Sequence, residues 1–259
     1  MLNNNKTALV SAVLFGLFSS HSHAALTNFT SSGSEVVFSS ASVITWTKDA
    51  NLLGSMFNSQ GFSTVVNSII GAYSGSYSLS SADFHNNGTA TWYGAVAFVN
   101  YLNHVSYAGS NQWRLPAIID TGAPGCSFPL NNIDCGYNVD TSTGEMATLY
   151  YDELGAKAVK DVHGNYQFDI AGIPDTAIFD NEVRDIYWTS LQSSANPDSA
   201  WIFATDDGVQ MDGYSKSSHT YVWAVTSALA APVPEADSLA MLIAGLGLLG
   251  LMSRRLQSV

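Results

Sequence analysis

Between Ala90 and His104 apolar residues recur every three or four positions, with Trp92, Ala95, Val96, Val99 and Leu102 forming one stripe. That period belongs to a half-buried α-helix, and Thr89 or Thr91 can cap its first turn. From residue 185 the period changes. Asp185 to Ser190, Ala200 to Thr205, Gly208 to Met211 and Thr220 to Val225 are short β-branched and aromatic runs separated by turn residues such as Asp206-Asp207-Gly208 and Asp212-Gly213. Helices first and short antiparallel strands afterwards predict an α+β domain. A second helix is expected over Glu145 to Leu154, stopped by Gly155, with Met146, Leu149, Tyr150 and Leu154 on one side. Earlier, Glu35 to Phe38 reads as an edge strand and Val43 to Trp46 as another, and Gly54 to Asn87 reads as a short helix leading into a loop.

Both ends of the chain read as addresses. Lys6 precedes an apolar run from Ala8 to Phe18, and Ser22-His23-Ala24 places small residues at a cleavage site. That order predicts a secretory signal peptide over residues 1–24. At the other end, a Pro- and Ala-rich linker (228–237) leads to Leu239 to Met252, which carries no charge, followed by Arg254-Arg255. An apolar helix ending in arginines is expected to sit in a membrane with the arginines on the cytoplasmic side. Without both ends, 6 basic and 19 acidic residues remain, a formal charge of -13. Such a surface repels phosphate backbones, so nucleic acid is not an expected partner.

Val233-Pro234-Glu235, the glycine-rich apolar segment 238–255 and the Arg254-Arg255 pair resemble the PEP-CTERM sorting signal of Gram-negative bacteria. The resemblance implies that an exosortase recognises Pro234-Glu235 and removes the tail after a transient stay in the inner membrane. Ala236 stands where the commonest form of the signal has a second proline.

Inside residues 43–227, Thr45-Trp46 with Asp49-Ala50-Asn51, the helix from Trp92, Trp113-Arg114-Leu115-Pro116, Tyr187-Trp188-Thr189-Ser190 and Tyr221-Val222 follow one another. Their order resembles the Lcl C-terminal domain family of secreted bacterial proteins, with Thr189 and Trp223 departing from its usual serine and arginine. The resemblance implies a C-type-lectin-like, formylglycine-enzyme-like α+β architecture, preceded here by the Ser/Thr-rich segment 25–42. In the Trp-Arg-Leu-Pro segment, Trp113 and Leu115 should alternate into the core, while Arg114 finds a carboxylate such as Asp120 or Glu145.

The residues offer little chemistry. Cys126 and Cys135 are the only cysteines, and in an exported chain a disulfide between them is expected, with free thiols or a reactive pair as the alternatives. No G-x-S-x-G elbow occurs, and His85, His104, His163 and His219 do not stand at metal-site spacing, so no cofactor and no metal are expected. Asp152-Glu153 and Asp206-Asp207 read as solvated faces, and a calcium loop of Asp206, Asp207 and Asp212 misses the EF-hand pattern. Tyr187, Trp188, Trp201, Tyr214, Tyr221 and Trp223 are candidates for a glycan-stacking surface. The expectation is an exported surface or extracellular-matrix protein of the biofilm type, with a non-catalytic binding or structural domain for a glycan, such as exopolysaccharide, or another extracellular polymer. The alternative is an exported hydrolase acting through paired carboxylates.

Overall fold

The computed structural model describes residues 26–122, 126, 128 and 133–231. The expected signal peptide, the apolar tail 238–255, and Val233, Pro234, Glu235, Arg254 and Arg255 lie outside the described residues. Among the described residues no helix is long and apolar enough to cross a membrane.

The domain is α+β, with two antiparallel sheets of four strands. The first contains β1 (Leu26–Ser31), β2 (Ser34–Ser39), β3 (Ile44–Thr47) and β8 (Val225–Thr226), in that spatial order. The second is ordered β4 (Gly136–Tyr137), β7 (Val209–Ser215), β6 (Ser199–Ala204) and β5 (Ile186–Gln192). The segment Glu35 to Phe38, expected at an edge, is interior, because β1 pairs along its whole length with β2. Residues 26–39 therefore belong to the same sheet as the Trp46 strand. The expected strand from Thr220 pairs as β8 only at its end, while Thr220 and Tyr221 make single bridges to Ala90 and Tyr187.

Among the described residues there are four α-helices: α1 (Leu52–Gln60), α2 (Phe62–Ala72), α3 (Trp92–His104) and the short α4 (Glu145–Ala147). The stretch read as one short helix before a loop is two, because Gly61 adopts φ +89° between α1 and α2 and turns the chain there. Thr91 caps α3 by accepting from the Gly94 amide. Gly94 lets the helix approach the backbone closely, since a Cβ there would lie 2.8 Å from the Asp83 carbonyl oxygen.

The expected helix after Glu145 is α-helical for one turn and then widens into a π-turn over Thr148–Glu153, where the Leu154 amide donates to the Leu149 carbonyl. The widening goes with the anchoring of two consecutive tyrosines at separate partners. The Tyr150 hydroxyl donates to the Lys157 carbonyl, and the Tyr151 hydroxyl donates to the Gly208 carbonyl.

Trp113 and Leu115 are both buried, and Arg114 between them makes a two-way backbone bridge to Val225. Its guanidinium chooses Glu145 over Asp120, donating to both carboxylate oxygens at 2.6 and 2.7 Å. The same carboxylate accepts from the Ala117 amide at 2.7 Å. The segment is thus stapled to β8 by its backbone and to α4 by its side chain. Trp46, Phe179, Tyr187 and Trp223 form an aromatic cluster beside the first sheet, with ring centroids 4.8 to 5.7 Å apart around Trp223.

Candidate functional site

The aromatic surface expected from the strands is not a surface. Tyr187, Trp188 and Trp223 have no solvent exposure, Trp201 and Tyr221 are buried, and Tyr214 is half-buried with its ring edge-on to Trp188. Alternation sends every second side chain to water only when one face of a sheet is wet. All six residues of β6 are buried, so both of its faces are covered.

Solvent-exposed aromatic rings gather elsewhere, on a segment to which the sequence reading assigned no role. Lys160 and Tyr166 bridge across a turn whose Asp161 carboxylate accepts from the amides of His163 and Asn165. Beyond the turn Tyr166, Phe168 and Ile170 alternate with polar residues and are 61%, 68% and 60% exposed. The rings of Tyr166 and Phe168 stack at 4.8 Å and 13°. Lys160 Nζ lies 4.8 Å from the Tyr166 centroid and 5.8 Å from that of Tyr137. Phe128, also exposed, packs edge-on to Tyr137. Phe168, Tyr166, Lys160, Tyr137 and Phe128 therefore form one row. The period-two pattern from Tyr166 to Ile170 was readable, but nothing in it says that its apolar face meets water.

Carboxylates border this row. Asp206 is exposed, but Asp207 is half-buried, correcting the reading of both as a solvated face. Burial first, and then the Asp206 charge, push the Asp207 pKa up to about 6. The Asp207 carbonyl accepts from the Val159 amide, next to Lys160, and its carboxylate accepts from the Val209 amide. Glu153 behaves similarly: it is half-buried, accepts from Ser39, and is raised by burial, while Asp152 is exposed.

The Asp207 shift has a consequence for stability. The folded carboxyl holds its proton more tightly than the unfolded one, whose ordinary value is 3.8. Its favourable contribution is full below pH 3.8 and is lost as the pH rises through about 6. With screening of a half-exposed group, the loss is about 1 to 2 kcal/mol. Asp207→Asn, which can keep the bond from Val209, is expected to remove that part of the pH dependence. Urea titrations of both proteins at pH 4 and pH 7 measure it; parallel changes in the two would refute it.

Cys126 and Cys135 form the expected disulfide. They line a cleft of about 260 Å³ together with Asp120, Asp134, Asp212, Ser194 and Trp201. Its carboxylates are occupied as loop ties: Asp120 accepts from Gly122 and Ser194, Asp134 from Thr121, and Asp212 from Ser193 and Gly213. Asp206 and Asp207 lie in the β6–β7 turn, whereas Asp212 lies along β7, so the three carboxylates read as a calcium loop are not drawn together. Among the described residues no group of three or more His, Cys, Asp or Glu side chains could hold a metal ion. Two histidines that the sequence left isolated do meet: His85 and His219 stack at 3.7 Å, and His219 Nε2 lies 2.9 Å from the Ala82 carbonyl oxygen.

Comparison with protein-family models, curated proteins and solved structures found no match to this chain.

Proposed function

We propose that the protein is an exported, non-catalytic module that binds an extracellular polysaccharide, and that an exosortase delivers it to the cell surface or matrix. The observation that carries the binding half is the row in which the exposed rings of Phe128, Tyr166 and Phe168 flank the half-buried Tyr137. Flat rings in water match the C–H faces of pyranose rings, while Lys160 and the neighbouring Asn and Asp side chains suit hydroxyl groups. The disulfide supports an oxidising compartment. The α+β arrangement of helices and antiparallel sheets suits the C-type-lectin-like architecture implied by the motif order.

Affinity electrophoresis through gels containing neutral or acidic exopolysaccharides tests the binding. Wild type is expected to be retarded, and the double variant Tyr166→Ala/Phe168→Ala to lose affinity about tenfold to a hundredfold, from about 1 kcal/mol per stacked ring. No retardation by any polysaccharide, or equal retardation of both proteins, would overturn the reading.

The delivery half rests on sequence. Pro234 keeps the recognition dipeptide out of a helix, and drawing Arg254 and Arg255 through hydrocarbon costs about 2.5 to 3.5 kcal/mol each. Pro234-Glu235→Ala-Ala is expected to leave a full-length chain in the inner membrane; release equal to wild type, measured by cell fractionation and intact mass, refutes the sorting signal.

One observation favours the hydrolase alternative. Asp207 titrates near neutrality beside the aromatic row, as a general acid would, with the exposed Asp206 next to it. Release of reducing ends from a bound polysaccharide, lost in Asp207→Asn, would favour that reading; binding without release supports the module.

A further inference from the structure

At the opposite end of β7 from the aromatic row lies a cleft of about 360 Å³, lined by Tyr77, Tyr93, Asp198, Ser215, Lys216 and Ser217. Its unusual member is Lys216. The residue is 3% exposed and its backbone is pinned on both sides, its amide donating to Asp198 and its carbonyl accepting from Trp92. Two of its three ammonium N–H groups find oxygens, the Gln192 side-chain carbonyl at 2.5 Å and the Pro197 carbonyl at 2.7 Å. The ammonium also lies 4.4 Å from the Trp92 ring centroid and 5.6 Å from that of Tyr93. Among the described residues it forms no ion pair. Burial pulls its pKa below the ordinary lysine range, with the Asp198 charge opposing. A buried cation held by neutral oxygens and ring faces, with the Asp198 charge near but not in contact, lacks a paired countercharge, and buried charges are ordinarily paired.

We propose that this cleft is a second saccharide site, selective for an acidic sugar whose carboxylate supplies that countercharge. The proposal rests on the reading of the protein as a glycan-binding module. The rest of the cleft suits the other parts of such a sugar. Tyr93 stacks on Tyr77 at 3.9 Å and 6°, while Tyr77 remains 38% exposed and offers its other face to a pyranose ring. The Tyr77 hydroxyl is fixed by donating to Asp83, which is itself buried and also accepts from Thr91. Ser215 and Ser217, whose hydroxyls hydrogen-bond to each other at 3.0 Å, leave one hydroxyl free to donate to a sugar, and Asp198 can accept from a ring hydroxyl.

A neutral sugar fills the aromatic wall equally well but leaves the ammonium as it was. The acidic sugar therefore gains in proportion to the missing ion pair. Val209 pairs with Tyr137 in the aromatic row, and Ser215 lines the cleft at the other end of the same strand. Six strand steps of about 3.3 Å place the two sites on the order of 20 Å apart, so they are separately addressable.

The test is calorimetric titration of the purified protein with a glucuronate-containing oligosaccharide, a neutral oligosaccharide of equal length, and acetate. The key background is Tyr166→Ala/Phe168→Ala, which removes the two stacked, most exposed rings of the aromatic row without touching the cleft. In it, the acidic oligosaccharide is expected to bind at least tenfold more tightly than the neutral one. Adding Tyr77→Ala, at an exposed wall position, should weaken acidic binding at least tenfold, and adding Lys216→Met should abolish the preference for acid. Thermal melts check that Lys216→Met folds, and Tyr77→Ala reads the site without altering the buried lysine. Equal binding of acidic and neutral sugars in the background variant, or acetate binding as tightly as the oligosaccharide, would overturn the acidic-saccharide site. So would acidic binding that ignores both Tyr77 and Lys216. If wild type binds neutral polysaccharide through the row and the acidic sugar shows no second site, this inference alone fails; if wild type binds no saccharide, the proposed function fails with it.

Discussion

Trp223→Ala is expected to destabilise the domain by about 3 to 5 kcal/mol, the range for removing a large aromatic side chain from a packed core. The indole is fully buried and meets Trp46, Phe179 and Tyr187. Its Nε1 donates to the Thr47 carbonyl at 2.9 Å, tying the segment before β8 to the end of β3. Alanine leaves a cavity between aromatic rings that cannot collapse, and a carbonyl without its donor. Trp223→Phe keeps most of the volume and loses the hydrogen bond, so a cost of about 1 to 2 kcal/mol is expected. Urea titration of the three proteins measures both steps; a loss below about 1 kcal/mol for the alanine variant would take Trp223 out of the core.

Glu145→Ala is expected to cost about 2 to 3 kcal/mol. One carboxylate serves two purposes there, gripping Arg114 with both oxygens and accepting from the Ala117 amide. The Glu145 side chain is 17% exposed and that of Arg114 is 37% exposed. Water can therefore reach the guanidinium after the substitution, which keeps the loss below that of breaking a fully buried pair. Glu145→Gln retains the bond from Ala117 and one contact to Arg114, so about half the loss is expected. Denaturant titration in low and high salt separates the contributions, because the charge part weakens with salt and the backbone bond does not. Equal stability of Glu145→Ala and wild type would show that the Trp-Arg-Leu-Pro segment is held by packing alone.

Local pattern was a good guide where one element decides its own shape. The three- and four-residue spacing from Trp92 to Leu102 marked α3, and Thr91 capped it as expected. It was a poor guide where neighbours decide. The spacing after Glu145 continues a helix on paper, but the anchoring of Tyr150 and Tyr151 at separate partners widens the turn. The strand aromatics were offered as a glycan surface because alternation puts half of them outside, and burial of β6 on both faces removed that choice.

What the sequence by itself determined is the class of the domain, the alternation that buries Trp113 and Leu115 around Arg114, and the choice of Cys126 and Cys135 as an expected pair that the structure shows bonded. Each of these follows from composition or from contacts within a few residues. Only the tertiary structure decided that Glu145 rather than Asp120 answers Arg114, that the rings in water are Tyr166 and Phe168, and that Lys216 is buried without an ion pair. These are statements about which faces remain uncovered once segments far apart in the chain have packed. Hydrophobic burial is non-directional, so a local sequence pattern states that a face is apolar but not whether another element will cover it.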